Sequence, residues 1–587
     1  MRPHLRNANE MTPTTTGTLR LEAHRGDSAL ELIARSEFRD AWRSLHRRCP
    51  WSTAFQDIPF IEIWYRCYRT RFAPVIIAGW TDERLTGLFL LAVSHDATTL
   101  CHAGGHHAEY QVWLSTDDRF VEGALDMLAD EFPGRKLQLI FVPPGVAFTP
   151  RGRWRNRCFR RPIRAPLLAT NPADSVRQSM RNKSTRNKFN RLAREGKITF
   201  ERVSDDAAFV TLFDEMIPLY DLRHGAAHDV LPFRQDELKK PFHLALKRET
   251  DLLHVTAMRA DDTLIAAHVG FRSRDTVLVG LTAQSPRYSR QSAGKLLFLE
   301  LALLLEQEGV GVLDLTPGGE YKDQRATHFE EASSLTILFS VAAAWRFGRQ
   351  RRLIDAAKRV GVATDSTKRL VRGVRHTLAL LRPADLPLKA ARRLKRAAWG
   401  DVELRIYRFP RGSPVTRPET VPIARDRFQD LACYEPVERW QPTTAAFLQS
   451  ATERLDNGEH CYTRVENGVL AHYGWLVDRQ QSSFMHEVHQ TWTLPAGSAV
   501  AYDFYTDPRF RGRGMYFSSL GRSVRDVEAI PGFGQLYIGV RGDNAASRRV
   551  IEKIGFEYER SFFEQRRLGA VRRWSAVSGD NPGRAGA

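Results

Sequence analysis

The chain has 587 residues, of which 42% are hydrophobic and 26% are charged. These proportions are those of an ordinary globular protein and exclude a fibrous or wholly disordered chain, while the length predicts three or four domains. The net charge of +19 is uneven, since residues 341–400 contain sixteen Lys and Arg against three Asp, and residues 177–197 contain eight against one Glu. The basic character therefore belongs to two local segments.

Cysteine spacing and the N-terminal residues bear on metal sites and on localisation. The six cysteines show no C-x-x-C or paired-histidine spacing, so we expect no metal site, no disulfide scaffold and a cytoplasmic location. Residues 1–7 lack the apolar core of a signal peptide, and the longest apolar run, around residues 296–305, is broken by Glu300. We therefore expect neither a signal peptide nor a membrane-spanning helix.

The first predicted lobe covers residues 21–165, after a polar and disordered tail at residues 1–20. Apolar residues recur at helical spacing over residues 38–65, and residues 74–93 predict two strands joined by a turn. Two histidines and a glutamate within residues 104–109 imitate a metal site, but no matching ligand spacing occurs elsewhere, so we interpret this segment as a loop. The lobe has no phosphate loop and we expect it to be noncatalytic.

The second predicted lobe covers residues 166–340. It begins with a basic helix over Val176–Glu195, and three strands follow between Leu252 and Leu281. A helix over Ala293–Gln307 is apolar on most of its circumference and is therefore expected to be buried. The strand Val312–Leu315 then completes a strand, loop, helix and strand.

The loop before this helix is a candidate phosphate site, because small residues and a lysine permit backbone and charge contact with an anion. Its candidate residues are Ser289, Gln291, Ser292, Gly294 and Lys295. Residues that could do acid–base or acceptor-binding work are Asp314, Glu320, Tyr321, Lys322 and His268. A lone strand histidine such as His268 is more often a satisfied core residue.

Residues 286–297 and 314–322, read in this order, resemble the CelD-type acetyltransferases of bacterial cellulose biosynthesis, which are related to FemAB-type aminoacyl transferases. The resemblance spans residues 30–340 and implies two GNAT-like lobes with an acyl-CoA loop in the second. The loop departs from the R/Q-x-x-G-x-G pattern of GNAT enzymes because it offers only one glycine.

Residues 341–400 predict a basic helical connector, since apolar residues at helical spacing alternate with Arg and Lys. Its basic face is either simply solvated or binds an anionic membrane surface, nucleic acid or an acidic polymer. Aromatic residues are few, which argues against stacking on single strands, and nucleic acid is the less expected partner.

The last predicted domain covers residues 401–575, before a short disordered tail at residues 576–587. Its strand-like run at residues 498–505 leads into Arg509-x-x-Gly512-x-Gly514 and then into a helix. Glycines let the backbone approach a ligand, and the N–H groups at a helix start attract phosphate. Arg509, Arg511 and Arg513 add positive charge.

A second motif follows about thirty residues later: Asn544, Ser547, and Lys553-Ile554-Gly555-Phe556 at the end of a helix. The two motifs together resemble the GNAT acyl-CoA N-acyltransferases, whose loop reads R/Q-x-x-G-x-G/A and whose next unit carries N-x-x-A/S and K-x-G-F. The resemblance implies acetyl-CoA as donor and no metal. The implied donor-binding residues are Arg509, Arg511, Gly512, Arg513, Gly514, Asn544 and Ser547.

The resemblance leaves the proton-transfer groups open. GNAT enzymes commonly place a proton-donating Tyr seven residues after the motif Asn, where this chain has Ile551. Substitutes are Tyr502, Tyr537 and Tyr558, for each of which aromatic packing is the more common role. Base candidates are Asp503 and Glu487. The family's N–H contact to the thioester would fall on the backbone near residues 504–506.

We thus predict an α/β protein with multiple GNAT-like mixed-sheet lobes, two N-terminal and one C-terminal, joined by the basic connector. The predicted function is acyl-CoA-dependent N- or O-acyl transfer to a small-molecule, polysaccharide or peptide acceptor, in envelope or exopolysaccharide modification. The alternatives are a FemAB-like transferase that uses aminoacyl-tRNA, and a noncatalytic GNAT scaffold that binds a partner or a membrane. Fold analogy identifies neither the acceptor nor the oligomeric state.

Overall fold

The computed structural model describes residues 17–359 and 399–577, apart from residues 97, 147, 414–419, 439 and 569 and the side chains of residues 320, 321, 355–359 and 399. Their contacts divide the chain into two compact units. The first unit comprises residues up to 217 and from 233 to 362, and the second comprises residues 218–232 and the residues after 362.

The first unit alternates helices and strands along most of its length. Its helices are α1 (Asp27–Ala34), α2 (Ser36–Arg48), α3 (Ile58–Tyr68), α4 (Arg119–Glu131), α5 (Asp174–Arg181), α6 (Lys183–Leu192), α7 (Asp206–His228, whose residues from 218 group with the second unit), α8 (Pro232–Gln235), α9 (Lys239–Glu249), α10 (Ala293–Gln307), α11 (Glu320–Asp323) and α12 (Val341–Arg359). Its strands are β1 (Arg20–Arg25), β2 (Phe72–Thr81), β3 (Arg84–Ser94), β4 (Leu100–His102), β5 (Leu114–Ser115), β6 (Lys136–Val142), β7 (Cys158–Ala169), β8 (Ile198–Arg202), β9 (Leu253–Ala260), β10 (Thr263–Ser273), β11 (Thr276–Gln284), β12 (Val312–Asp314) and β13 (His328–Leu338).

One mixed sheet runs through the first unit, in the order β1-β2-β3-β4-β6-β13-β7-β12-β11-β10-β9-β8, with β5 paired to β3. The β2–β3 hairpin turns at Asp82 and Glu83, which both have positive φ, as a two-residue hairpin turn requires. Strand β13 pairs with β6 on one side and with β7 on the other. The two predicted lobes are therefore halves of a continuous sheet, and β7 spans their predicted boundary at 165/166.

Separate hydrophobic clusters fill the two halves of this sheet. In the first half, α4 places Phe120, Ala124 and Leu128 against the strands, at the spacing of one helical face. In the second half, α10 is buried along most of its length, including Leu297 and Leu301. This burial confirms the expectation for the apolar helix.

The second unit repeats the alternation on a smaller scale. Its elements are β14 (Trp399–Phe409), β15 (Ala424–Arg425), α13 (Phe428–Leu431), α14 (Thr444–Asp456), β16 (His460–Glu466), β17 (Val469–Val477), β18 (Ser482–Met485), β19 (Gln490–Thr493), β20 (Ala499–Thr506), α15 (Met515–Glu528), β21 (Leu536–Arg541), α16 (Ala545–Ile554), β22 (Glu557–Arg567) and β23 (Ala570–Val577).

Its main sheet has the order β15-β16-β17-β20-β21-β14-β22-β23, and β18 and β19 form a separate hairpin. The predicted hairpin at Asn467-Gly468 is present, with both residues at positive φ. Helices α15 and α16 contribute Leu520, Val524, Ile551 and Ile554 to one buried cluster.

The α/β class with mixed sheets is confirmed. The predicted connector begins as helix α12, but residues 360–398 lie outside the described part of the chain. Of the tails predicted at residues 1–20 and 576–587, residues 1–16 and 578–587 also lie outside it, whereas β1 begins at residue 20 and β23 continues to residue 577, because both pair with neighbouring strands. The helical connector therefore stays a prediction.

Candidate functional site

A strand, a loop, a helix and a parallel strand follow one another in the same way in both units. In the first unit, β11 leads through a loop into α10, and β12 returns parallel to β11. In the second unit, β20, α15 and β21 have the same arrangement. Each parallel pair covers only the first three residues of the earlier strand, Thr276–Leu278 and Ala499–Ala501. Each sheet therefore opens between its two parallel strands on the side of the loop.

Each of the two earlier strands also contains a bulge. Strand β11 has one extra residue, Gly280, opposite Val269 and Gly270 of β10. A Cβ added at Gly280 would lie 2.8 Å from the carbonyl oxygen of Val269, so glycine is required there. Strand β20 has an extra residue where Asp503 adopts a φ of 50°. A bulge leaves one residue out of the ladder, so its backbone groups are available to a ligand.

Both helices begin directly after a residue in the left-handed conformation. That residue is Ser292 before α10 and Gly514 before α15, with φ of 55° and 79°. Gly512, which has a φ of 81°, adds a second such turn to the later loop. The first N–H groups of an α-helix have no intrahelical acceptor and carry the positive end of the helix dipole. Both loops can thus present N–H groups to a phosphate.

In the first loop, the positive charge comes from lysines that contact hydroxyl groups. Lys188 Nζ on α6 donates to Ser292 Oγ at 2.8 Å, and Lys295 Nζ donates to Thr185 Oγ1 at 3.3 Å. Burial, and then the charges of Lys188 and Arg325, lower the pKa of Lys295. Among the described residues, no carboxylate lies within ion-pair distance of Lys188 or Lys295. An anion bound here would relieve an existing repulsion.

The other predicted residues of this loop differ in their contacts. Ser289 Oγ donates to the carbonyl oxygen of Pro286 at 2.7 Å. Gln291 buries its side-chain oxygen with no donor among the described residues. Gly294 lies against Gln284, whose Oε1 would be 2.3 Å from an added Cβ.

In the second loop, each arginine is already paired with a carboxylate. Arg509 donates from its backbone and its guanidinium to the buried Asp507, at 2.8 Å in both cases. Arg511 pairs with Glu438 at 3.2 Å, and Arg513 pairs with Glu466 at 3.0 Å.

The second motif lies beside this loop through a tyrosine that the sequence analysis missed. Asn544 caps α16 by accepting from the N–H of Ser547 at 3.1 Å. Ser547 Oγ in turn donates to the hydroxyl oxygen of Tyr516, on the first turn of α15, at 3.0 Å. Burial raises the pKa of Tyr516 to about 12, so the hydroxyl is protonated at neutral pH. No sequence motif marks Tyr516, because its partner is 31 residues away.

The predicted acid and base candidates of the second unit are dispersed. Asp503 lies at the bulge and pairs with Arg454 at 2.7 Å. Glu487 lies in the exposed turn between β18 and β19, and no described contact joins it to the loop. The substitutes for the missing tyrosine each have another partner: Tyr502 donates to Glu459, Tyr537 to Gln535 and Tyr558 to Ser561.

In the first unit, polar residues gather where the pairing of β11 with β12 ends. Asp314, the last residue of β12, is buried and accepts from Tyr110 Oη at 2.9 Å and from Thr316 N at 2.7 Å. Lys322 Nζ donates to Thr316 Oγ1 at 2.8 Å. Burial raises the pKa of Asp314 to about 6, although the hydrogen bonds from Thr316 and Tyr110 and the charge of Lys322 act to lower it.

The remaining candidates of this unit have no established place in the site. The side chains of Glu320 and Tyr321 lie outside the described residues. His268 is buried, and neither ring nitrogen has a hydrogen-bond partner among the described residues. Burial lowers its pKa well below the ordinary value, so the ring is neutral.

Within the described residues, no group of three or more His, Cys, Asp or Glu is arranged to hold a metal ion. None of the described helices has the length and apolar character needed to span a membrane.

Residues 178–324 match the family model described as an acetyltransferase (GNAT) domain. This segment is therefore similar to the domains of the GNAT superfamily. It begins on α5 and ends just after α11, so it contains the first loop, the bulge at Gly280 and both parallel strands. The predicted GNAT membership is confirmed there. No curated protein matches the chain.

The solved structures that resemble this chain are distant from it in sequence. One is the C-terminal domain of a putative lysylphosphatidylglycerol synthetase from Agrobacterium fabrum, at 12% identity and a TM-score of 0.34 over 56% of this chain and 97% of that one. FemX is 9% identical to this chain, with a TM-score of 0.33 over 50% of this chain and 95% of FemX. A tandem GNAT protein from the clavulanic acid biosynthesis pathway is 14% identical, with a TM-score of 0.20 over 66% of this chain and 100% of that protein.

Proposed function

We propose that the protein is an acyl-CoA-dependent N- or O-acyltransferase with a donor-binding loop in each unit. The observation that carries the proposal is the repeated arrangement of bulged strand, left-handed turn, helix start and diverging parallel strand. In this arrangement, helix N–H groups bind the pyrophosphate, the gap between the parallel strands holds the pantetheine arm, and the bulge brings a backbone N–H to the thioester carbonyl.

Transfer also needs proton movements, since an amine or hydroxyl must lose a proton and the CoA thiolate must gain one. In the second unit, the Tyr516 hydroxyl is the proton donor of this proposal. It is protonated at neutral pH and contacts Ser547 of the second motif. Asp503 serves there less well as a base because Arg454 holds its carboxylate. The acceptor carries an amine or a hydroxyl, and acetyl-CoA is the donor to be tried first, with envelope or exopolysaccharide modification as the expected setting.

Calorimetric titration of the full chain with acetyl-CoA tests the two donor sites. We expect binding at both loops, with one site lost in Gly512→Val and the other lost in Gly294→Val. The first substitution places a branched residue at a φ of 81°, and the second drives a side chain into Gln284.

Gly134→Val is the matched control for the first variant. Gly134 has the same φ of 81° and equally open surroundings, but it lies in an exposed turn before β6. Both sites should survive in this control. If the unmodified chain binds no acetyl-CoA, the proposal fails. If Gly512→Val keeps both sites, the assignment of the second loop fails.

A second candidate, transfer from aminoacyl-tRNA, is favoured by a basic cleft along α6. The cleft has a volume of about 490 Å³ and is lined by Asn182, Lys183, Ser184, Asn187, Lys188 and Arg191. Lys188 joins it to the first loop through Ser292. Binding of tRNA that is tight and falls steeply with salt would support this candidate over acyl-CoA. If unrelated RNA duplexes bind equally well, the cleft binds polyanions in general and this candidate function is contradicted.

A further inference from the structure

Glu109 of the first half of the sheet lies in a loop that is fixed on both sides. Before it, His107 contacts the Tyr68 hydroxyl at 2.6 Å through Nε2. After it, the carbonyl oxygen of Tyr110 accepts from the buried Gln56 at 3.0 Å. The segment between β4 and β5 is the loop that the sequence predicts, and these contacts hold Glu109 in place within it.

This loop reaches the strand end at which the second half of the sheet opens. Tyr110 Oη donates to Asp314 at the last residue of β12, where the pairing of β11 with β12 stops. Glu109 itself feels the charges of Lys322 and Lys239 and, less strongly, of Asp314. The carboxylate of Glu109 thus lies within electrostatic range of Lys322 and Asp314, at the strand end where the gap for the pantetheine arm opens in the proposed function.

Two carboxylates, those of Asp314 and Glu109, lie near the end of β12, but only that of Glu109 is available to a ligand. Asp314 is buried, and its two oxygens accept from Tyr110 and from Thr316. Glu109 is partly exposed, and it accepts no hydrogen bond among the described residues. A partly exposed carboxylate without a structural partner is suited to accept a proton, whereas Asp314 serves to position Tyr110.

We propose that Glu109 is the general base that deprotonates the acceptor in the first unit, and this inference rests on the proposed acyl-CoA-dependent function. The Glu109 carboxylate takes a proton from the acceptor nitrogen or oxygen as that atom bonds to the thioester carbon. The C–S bond then breaks, and the CoA thiolate takes a proton from solvent. Glu109 afterwards returns its proton to solvent, so the products are the acylated acceptor and free CoA.

The electrostatics of the corner give this base a working range near neutrality. Burial raises the pKa of Glu109 to about 7, with Lys322 and Lys239 acting to lower it and Asp314 to raise it. The active form is the carboxylate, so activity should fall as the pH drops below about 7. The nearby His107 is neutral, since burial lowers its pKa to about 4.

The test compares the full chain with Glu109→Gln, using acetyl-CoA as donor and a panel of polyamines, amino sugars and peptides as acceptors, with free thiol as the readout. The comparison is made in a Gly512→Val background, where only the first loop is expected to bind acetyl-CoA, so the released thiol reports on the first unit alone. We expect kcat to fall about 100-fold or more in Glu109→Gln, with unchanged acetyl-CoA binding and loss of the acidic limb of the pH profile. Glu109→Asp should recover part of kcat.

Glu300→Gln is the matched control, because Glu300 on α10 is also a partly buried glutamate whose pKa is raised by burial. It should keep kcat and the pH profile. If the unmodified chain turns over and Glu109→Gln stays within about twofold of it, or keeps the acidic limb, the assignment of Glu109 is overturned. If the unmodified chain binds no acetyl-CoA and releases no thiol, the proposed function itself fails.

Discussion

The two donor loops share a backbone arrangement and differ in their electrostatics. The loop that best matches the glycine motif, at residues 509–514, has each of its arginines paired with a carboxylate. The loop with a single glycine, at residues 289–295, contains Lys295 and is contacted by Lys188 of α6; both lysines contact hydroxyl groups and they repel one another. Glycine positions therefore indicate where a backbone can bend around a phosphate. Whether the positive charge beside it is free for a ligand depends on the partner of each cation, which is distant in the chain for Arg511 and Arg513.

The largest expected difference between the loops concerns proton donation. In a chain that carries Gly294→Val, so that only the second unit binds donor, Tyr516→Phe should lower kcat about 10- to 100-fold, because the leaving thiolate loses its proton donor. Acetyl-CoA binding should not change. Thiol release under saturating donor measures the effect. Tyr537→Phe removes a hydroxyl whose contact is Gln535, and an equal loss in that variant would contradict the role of Tyr516.

A smaller effect is expected on stability, from the carboxylate that holds the second loop. Asp507→Asn should destabilise the second unit by about 2 kcal/mol, because the buried acceptor of Arg509 is weakened. Calorimetric melting of the full chain measures this. The exposed Asp543 makes a similar two-pronged pair with Arg541, and Asp543→Asn should change stability little.

The same pair predicts a dependence on pH. Arg509 lowers the pKa of Asp507, so its stabilising contribution is present above the ordinary pKa of an aspartate and is lost as the pH falls through the lowered value. Melting temperatures of the unmodified chain and of Asp507→Asn should therefore converge in acid. Curves that stay parallel to the lowest pH at which the chain still folds would contradict the contribution of this ion pair.

The smallest expected effect concerns the charges themselves. Lys295→Gln should weaken acetyl-CoA binding at the first loop about tenfold, because no described carboxylate neutralises the charge of Lys295. Arg513→Gln should weaken binding at the second loop only about twofold, since Glu466 already neutralises that arginine. Titrations at two salt concentrations measure both. Equal losses in the two variants would show that the carboxylates move away when donor binds.

Much of this arrangement could be predicted from the sequence, because it depends on local patterns. The apolar circumference of Ala293–Gln307 predicted a buried helix, and Asn467-Gly468 predicted its hairpin. The residues that decide the chemistry were harder to predict. Tyr516 and Glu109 acquire their surroundings from segments distant in the chain, and Glu109 belongs to a lobe whose sequence, without a phosphate loop, predicts no catalytic role.

The long sheet of the first unit has a consequence for synthesis of the protein. Its central strand, β13, is the last of the thirteen to leave the ribosome, and it pairs with β6 and β7 on its two sides. Until residues 328–338 emerge, the nascent chain exposes two unpaired strand edges, which are the usual starting points for aggregation. A fragment that ends at residue 324 lacks β13 and leaves those edges unpaired. We therefore expect the two halves of the sheet to join only after β13 is made.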